Sequence, residues 1–269
     1  MATGFGSAKA LWNVWGNSDT SDPNARDAWV SLNAPRIAWE SFYRDHFHPR
    51  PGEHMLIVGH TGSGKTHLQF SLLPKWPYTA AFGTKNNDST MDRLVESKGY
   101  ERYNRWIRMS ANDHPRRVIW PPANNLKDMT DLQKKTFEHA MEVIWGEGGR
   151  PKENPVGWAV AMDEVWWFAH QLGMANYIKI YLQQGRSNGI SLLGASQRPA
   201  FIPTEFYSQS THLFFFVEKE RRNLDRISEI DYGNAAAVRF LVNSLDQYQV
   251  LYINTRTGAL LRTRAPEKF

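Results

Sequence analysis

The stretch Gly59-His60-Thr61-Gly62-Ser63-Gly64-Lys65-Thr66 follows the apolar run His54 to Val58 and opens the segment Lys65 to Leu73, whose pattern is helical. Its spacing is G-x-x-x-x-G-K-[ST], placed between strand and helix as a phosphate-binding loop requires. Glycines at 59, 62 and 64 let the backbone aim its N–H groups at an anion, backed by the positive end of the following helix. Lys65 then reaches the β and γ phosphates, and the Thr66 hydroxyl ligates Mg2+. Residues Gly59 through His67 are therefore the expected nucleotide site, with ATP and Mg2+ as cofactors.

Working outward, strand-length apolar runs recur at Tyr78 to Phe82, Arg117 to Trp120, Trp158 to Met162, Ile190 to Ala195 and Leu213 to Val217. Helical patterns lie between them at Ser89 to Glu96, Asp128 to Trp145, Ala175 to Ser187 and Arg222 to Ile230, with a further one near Asn234 to Val242. This alternation predicts an α/β fold with a mostly parallel central sheet flanked by helices. Near the end, Gln247 to Ile253 and Ala259 to Thr263 flank Asn254-Thr255-Arg256-Thr257-Gly258, which reads as a C-terminal β-hairpin. Asn33, with Pro35 just inside a run of Ile37, Trp39, Phe42 and Tyr43, reads as the start of a short helix ending before His48. Residues 1–32 are rich in Gly, Ser, Asn and Asp around Trp12, Trp15 and Trp29 and lack periodicity. The expected organisation is thus an extended N-terminal arm over 1–32 and one ATPase domain over 33–269.

Composition narrows the alternatives. At 269 residues, 41% hydrophobic and 22% charged, the chain is globular, and without cysteine it holds no disulfide, thiolate zinc site, iron–sulfur cluster or cysteine nucleophile. The bulky apolar run Leu213 to Val217 is far short of the ~20 residues of a membrane span, and no secretory signal is visible at the N-terminus. A cytoplasmic address is expected. The histidines show no spacing that suggests a further metal.

A Mg2+-nucleotide site needs a carboxylate at the end of a neighbouring buried strand. Trp158-Ala159-Val160-Ala161-Met162 delivers Asp163 and Glu164 at such an end, where open α/β sheets bind their ligands. Asp163 is expected to hold the metal through water, and Glu164 to polarise the attacking water. The next strand ends in Ser196-Gln197-Arg198-Pro199, placing the Gln197 amide where it can contact both the γ-phosphate and that water. Trp166 and Trp167 read as packing.

The phosphate loop, Met162-Asp163-Glu164, and the segment Gln184-Gly185-Arg186-Ser187-Asn188-Gly189-Ile190 leading into Ala195-Ser196-Gln197-Arg198-Pro199 together resemble the FtsK/HerA superfamily. The last segment carries the resemblance most specifically, as "G-R-x-x-G-I", a strand, then "A-[ST]-Q-R-P". The resemblance spans about Glu53 to Ile253. It implies a RecA-like P-loop ATPase working as a homo-oligomeric ring, typically a hexamer, that drives DNA through its pore. Compact members are most like phage packaging ATPases or Zot-like morphogenesis ATPases, so double-stranded DNA bound without sequence preference is the implied partner, with a capsid or membrane protein as docking partner. The alternative is an assembly or secretion ATPase acting on a protein. The resemblance also makes Arg186 the arginine finger offered to a neighbouring subunit, with Arg198, Arg221 and Arg222 as rivals. One departure stands out: where relatives carry an acid plus Lys-Gly after the second strand, Phe82-Gly83-Thr84-Lys85-Asn86 keeps only the lysine.

The formal net charge of +5 is unevenly spread. Residues 98–117 alone carry +4 and the last fourteen residues +3. Arg102, Arg105 and Arg108 recur every third residue with Tyr100, Tyr103 and Trp106 interleaved. On a helix these arginines would share a side and meet phosphates, while the aromatics stack or pack inward. Lys134 and Lys135 are a second expected basic face.

Overall fold

The computed structural model describes residues 33–107, 115–122, 125–148, 157–228 and 235–266. The expected arm over 1–32 lies outside them, as does Arg108. The strands are β1 His54–Val58, β2 Tyr78–Phe82, β3 Glu101–Tyr103, β4 Arg116–Ile119, β5 Trp158–Met162, β6 Ser191–Ser196, β7 Ser210–Phe216, β8 Gln249–Asn254 and β9 Ala259–Arg264. The principal helices are α1 Lys65–Leu72, α2 Ser89–Lys98, α3 Leu126–Gly148, α4 Ala175–Gln184, α5 Thr204–Gln209, α6 Arg221–Ser228 and α7 Ala235–Asn243.

These strands form one nine-stranded sheet in the order β3-β4-β2-β5-β6-β1-β7-β8-β9. Pairing is parallel from β3 to β7 and antiparallel through β8 and β9, which form the expected hairpin. Every residue of β1 and β5 is buried, because a parallel sheet is covered on both faces and its central strands read as unbroken apolar runs. Alternate side chains feed two cores. Leu56 and Val58 join the layer of α3 to α7 through Phe137, Ile178, Phe206 and Leu241. Met55 and Ile57 point the other way, toward Leu68 and Phe70 of α1, Met91 of α2, and Phe42 and Phe47.

Three expectations about local structure are corrected. The helix read from Asn33 begins only at Trp39, as a short α-turn followed by a π-turn over Phe42–His46. The residues before it are recruited by the sheet: Ile37 N–H donates to Arg262 O at 2.8 Å and Arg262 N–H to Pro35 O at 2.9 Å. This bridge covers part of the β9 edge, which otherwise offers free pairing groups. The arginine-aromatic stretch is not a helix either. Glu101–Tyr103 is an edge strand on β4, with Tyr100 and Trp106 buried, so Arg102 and Arg105 do not share a helical face. The helix read to Ser187 ends at Gln184 and tightens into a 3-10 turn over Gly185–Asn188.

Candidate active site at the strand ends

All parallel strands end on one side of the sheet, and the phosphate loop leaves β1 there. Gly62 (φ 78°) and Gly64 (φ 101°) take left-handed conformations, where a side chain is strained. A Cβ on Gly59 would fall 2.7 Å from both Phe216 Cβ and Ser63 Oγ, so only glycine fits the start of the loop. Lys65 Nζ donates to His60 O at 2.9 Å, across the loop it belongs to. Burial lowers the Lys65 pKa, and the carboxylates of Asp163 and Glu164 oppose that shift.

Sheet order separates β1 from the acidic strand β5 by the intervening β6, about 10 Å at ordinary strand spacing. Helix α1 spans this gap. Its buried Gln69 donates from Nε2 to Leu193 O on β6 at 2.8 Å and to Met162 O on β5 at 3.2 Å. That clamp holds the helix start over the β5 end, where Thr66 Oγ1 donates to Asp163 Oδ1 at 2.7 Å. The second Asp163 oxygen faces Lys85 Nζ at 3.3 Å, and Lys85 also lies 3.5 Å from Asp88. Burial works against the charged form of Lys85, but the two carboxylates outweigh it and its pKa is raised.

Glu164 points elsewhere. Ser196 Oγ donates to its Oε1 at 2.9 Å and the Gln197 N–H to its Oε2 at 3.3 Å. Burial raises its pKa, with those two hydrogen bonds and Lys65 opposing and Asp163 adding to the rise. A carboxylate held this way is a better proton acceptor than an exposed one. Gln197 closes the loop side, its Oε1 accepting from Thr61 Oγ1 at 2.7 Å. Trp167 is packing, as read: it lies against the core and donates from Nε1 to Gln133 Oε1 at 3.1 Å.

The structure therefore brings together Lys65, Thr66, Asp163, Glu164 and Gln197. It does not bring Arg186 to them. The exposed Arg186 sits before β6, at the opposite end of the sheet, where its carbonyl packs beneath Gly52. Arg198 is exposed at the loop end. Arg221 and Arg222 line a hollow with Ala200, Asp225 and Arg226. Arg102 lies with its guanidinium 3.9 Å from the centroid of Trp120, whose Nε1 donates to Lys85 O at 2.6 Å, so two residues stand between this arginine and Asp163. Sequence reasoning missed Gln69, Trp120 and the placement of Lys85, none of which a complete motif picks out, and it quoted Ser196 within Ala195 to Pro199 without giving it a role. Among the described residues no group of three or more His, Asp or Glu could hold a metal, and no helix is long and apolar enough to cross a membrane.

No protein-family model matches the chain, and no curated protein matches it in sequence. Solved structures do. The genome packaging NTPase B204 from Sulfolobus turreted icosahedral virus 2, in complex with sulfate, superposes with a TM-score of 0.55 at 16% identity over 82% of this chain and 100% of that one. Its complex with AMPPCP gives 0.56 at 18% identity, over 81% of this chain and 100% of B204. The chain has the fold of a genome packaging NTPase. The same P-loop fold recurs in the cytoplasmic domain of the Thermomonospora curvata type VII secretion ATPase EccC, at a TM-score of 0.52 and 17% identity; 80% of this chain covers 25% of that one.

Proposed function

We propose that the protein is a Mg2+-dependent ATPase of the FtsK/HerA type that moves DNA, in the packaging of a viral genome, as a ring of identical subunits. The observation that carries this reading is the placement of two carboxylates in different roles, Asp163 on the Thr66 hydroxyl and Glu164 on Ser196 and the Gln197 amide. A nucleotide-binding scaffold needs the first but not the second. The likeness in fold to B204 along its whole length supports packaging as the task.

In this reading the loop N–H groups and Lys65 hold the β and γ phosphates. Thr66 and Asp163, a hydroxyl and a carboxylate within 2.7 Å of each other, are a donor set suited to Mg2+. Bound there, Mg2+ would offset charge on the phosphates. Glu164 accepts the proton of the attacking water, and Gln197 orients that water against the γ-phosphate. Arg186, out of reach of its own site, serves the next subunit. Arg102 and Arg105 take DNA phosphates without reading bases.

The test is ATP turnover with and without double-stranded DNA, at low and moderate salt, with Lys65→Ala as blank. Strong stimulation that weakens with salt supports the motor. Turnover indifferent to DNA overturns it in favour of an assembly ATPase acting on a protein, the reading favoured by the likeness to EccC.

A further inference from the structure

Among the described residues Tyr248 is the one non-glycine with a positive φ, at 63°. Glycine and asparagine adopt this conformation readily, and tyrosine does so at a cost. The backbone is held there from both sides: Gln249 N–H donates to Asp246 O at 3.0 Å, closing the turn, and Ala265 N–H donates to Tyr248 O at 2.9 Å. The turn would form more easily with glycine, so the ring itself needs a reason.

Tyr248 is 38% exposed and its ring stands beside the phosphate loop. A Cβ on Gly64 would lie 3.6 Å from Tyr248 Cδ1 and 3.7 Å from Ala265 Cβ. With Thr66, His67, Thr90 and Pro266, Tyr248 lines a cavity of about 480 Å3 that opens directly from Gly62, Gly64 and Lys65. That volume is in the range of small-molecule sites. Asp163, Glu164 and Gln197 are not part of the lining, whereas Lys65 and Thr66 are, so the cavity continues from the phosphate loop on the side away from Glu164's partners. A polyphosphate held on the loop with its γ end toward Glu164 directs its other end past Thr66 and His67 into the cavity. Among the described residues the lining holds no carboxylate and presents an aromatic ring, an imidazole and a proline. The Arg264 guanidinium lies over the ring 5.8 Å from its centroid. Such surroundings suit a flat, uncharged heteroaromatic group.

We infer that Tyr248 is the stacking platform for the nucleobase of the nucleotide whose phosphates the loop holds. This rests on the nucleotide-binding reading above, and it adds the subsite that makes a nucleoside triphosphate, rather than inorganic polyphosphate, the preferred ligand. Stacking on a ring tolerates any base.

Calorimetric titration of the full chain with Mg2+-AMPPCP and with Mg2+-tripolyphosphate tests it, on wild type, Tyr248→Gly, Tyr248→Asn and Tyr248→Phe. Glycine and asparagine suit the positive φ, so both variants are expected to keep the wild-type unfolding midpoint or exceed it. Both should weaken AMPPCP by about tenfold to a hundredfold, the usual worth of a base stacked on an aromatic ring. Tripolyphosphate affinity should stay unchanged, and Tyr248→Phe should bind AMPPCP as wild type does. AMPPCP binding unaltered in Tyr248→Gly overturns the platform alone, as does equal weakening of both probes, which would make Tyr248 a support of the loop. Wild type that binds neither probe overturns the nucleotide reading, and the platform with it.

Discussion

Thr66 Oγ1 and Asp163 Oδ1 lie 2.7 Å apart although the strands that lead to them are not neighbours in the sheet. The contact depends on α1 crossing β6, fixed by the buried Gln69. If these two oxygens are the metal's protein partners, Asp163→Asn removes the charge and keeps the shape. AMPPCP should then bind with the same affinity with or without Mg2+, whereas wild type binds more tightly with it. Turnover should fall more than about a hundredfold, since a metal clamp supplies several kcal/mol of transition-state stabilisation. Retained Mg2+-dependence of binding would place the metal elsewhere.

Glu164 is held by Ser196 and the Gln197 N–H and not by any group of the phosphate loop. Glu164→Gln should therefore bind AMPPCP with wild-type affinity and turn ATP over at least about a hundredfold more slowly, the usual share of a general base. Paired binding and turnover measurements check this. Turnover within a few-fold of wild type would remove Glu164 from the chemistry.

How much of this was legible in the sequence depended on whether a feature was local. Strands β1, β2 and β5 run over the residues read for them, because a strand buried on both faces is an unbroken apolar run. β7 is longer than its apolar run, starting at Ser210, because the buried His212 is paired with Glu53 at 3.1 Å and Tyr252 at 2.9 Å, and a satisfied polar residue looks like a strand boundary. The helix expected from Asn33 was lost to pairing with β9, a contact between opposite ends of the chain. Regular spacing of Arg102 and Arg105 suggested a helix, yet Tyr100 hydrogen-bonding Thr79 at 3.1 Å and Trp106 packing on Trp158 pull this stretch flat against the sheet edge. In the site, the loop, Asp163, Glu164 and Gln197 were legible because each sits at the end of a readable strand. Lys85 reaches the site from a segment whose local pattern says only "loop", and Tyr248, read as part of the strand Gln247 to Ile253, instead takes a positive φ in the turn before β8, which starts at Gln249.

Arg186 precedes β6, whereas Gln197 follows it, so the length of a six-residue strand separates the arginine from its own nucleotide site, roughly 20 Å. A finger so placed can act only on another subunit. Arg186→Ala and Lys65→Ala proteins should each be inactive alone, and mixing them should restore part of the turnover, because the second supplies intact fingers to the first's intact loops. If no mixing ratio restores activity, the finger is one of Arg198, Arg221 or Arg222, which stand at the loop end.

Gly194 in β6 faces the core without room for a side chain: a Cβ there would lie 2.6 Å from Val165 Cγ2 and 2.7 Å from Phe206 Cε1. Those neighbours are fully buried, and Val165 adjoins Glu164. Gly194→Ala should cost about 1–3 kcal/mol by overpacking, seen as an unfolding midpoint lowered by roughly 2–10 °C. An unchanged midpoint would mean that the contact relaxes freely.

His54, at the start of β1, is buried among Leu192, whose N–H donates to its Nδ1 at 3.0 Å, and the turn carrying Arg186. Burial lowers its pKa to about 4, the Arg186 charge pushing the same way and the Leu182 backbone opposing. The folded chain thus keeps this imidazole neutral where the unfolded chain protonates it, so below pH ~6.5 the unfolded state binds the extra proton and gains. Stability is expected to be flat above that pH and to fall as pH drops from ~6.5 toward 4, by on the order of 3 kcal/mol from this group, then to level off. Urea unfolding at pH 7 and pH 5 measures the slope. His54→Gln keeps an acceptor for the Leu192 N–H but cannot take a proton, so its loss over that interval should be smaller than wild type's. Equal losses in both proteins would show that another group carries the acid sensitivity.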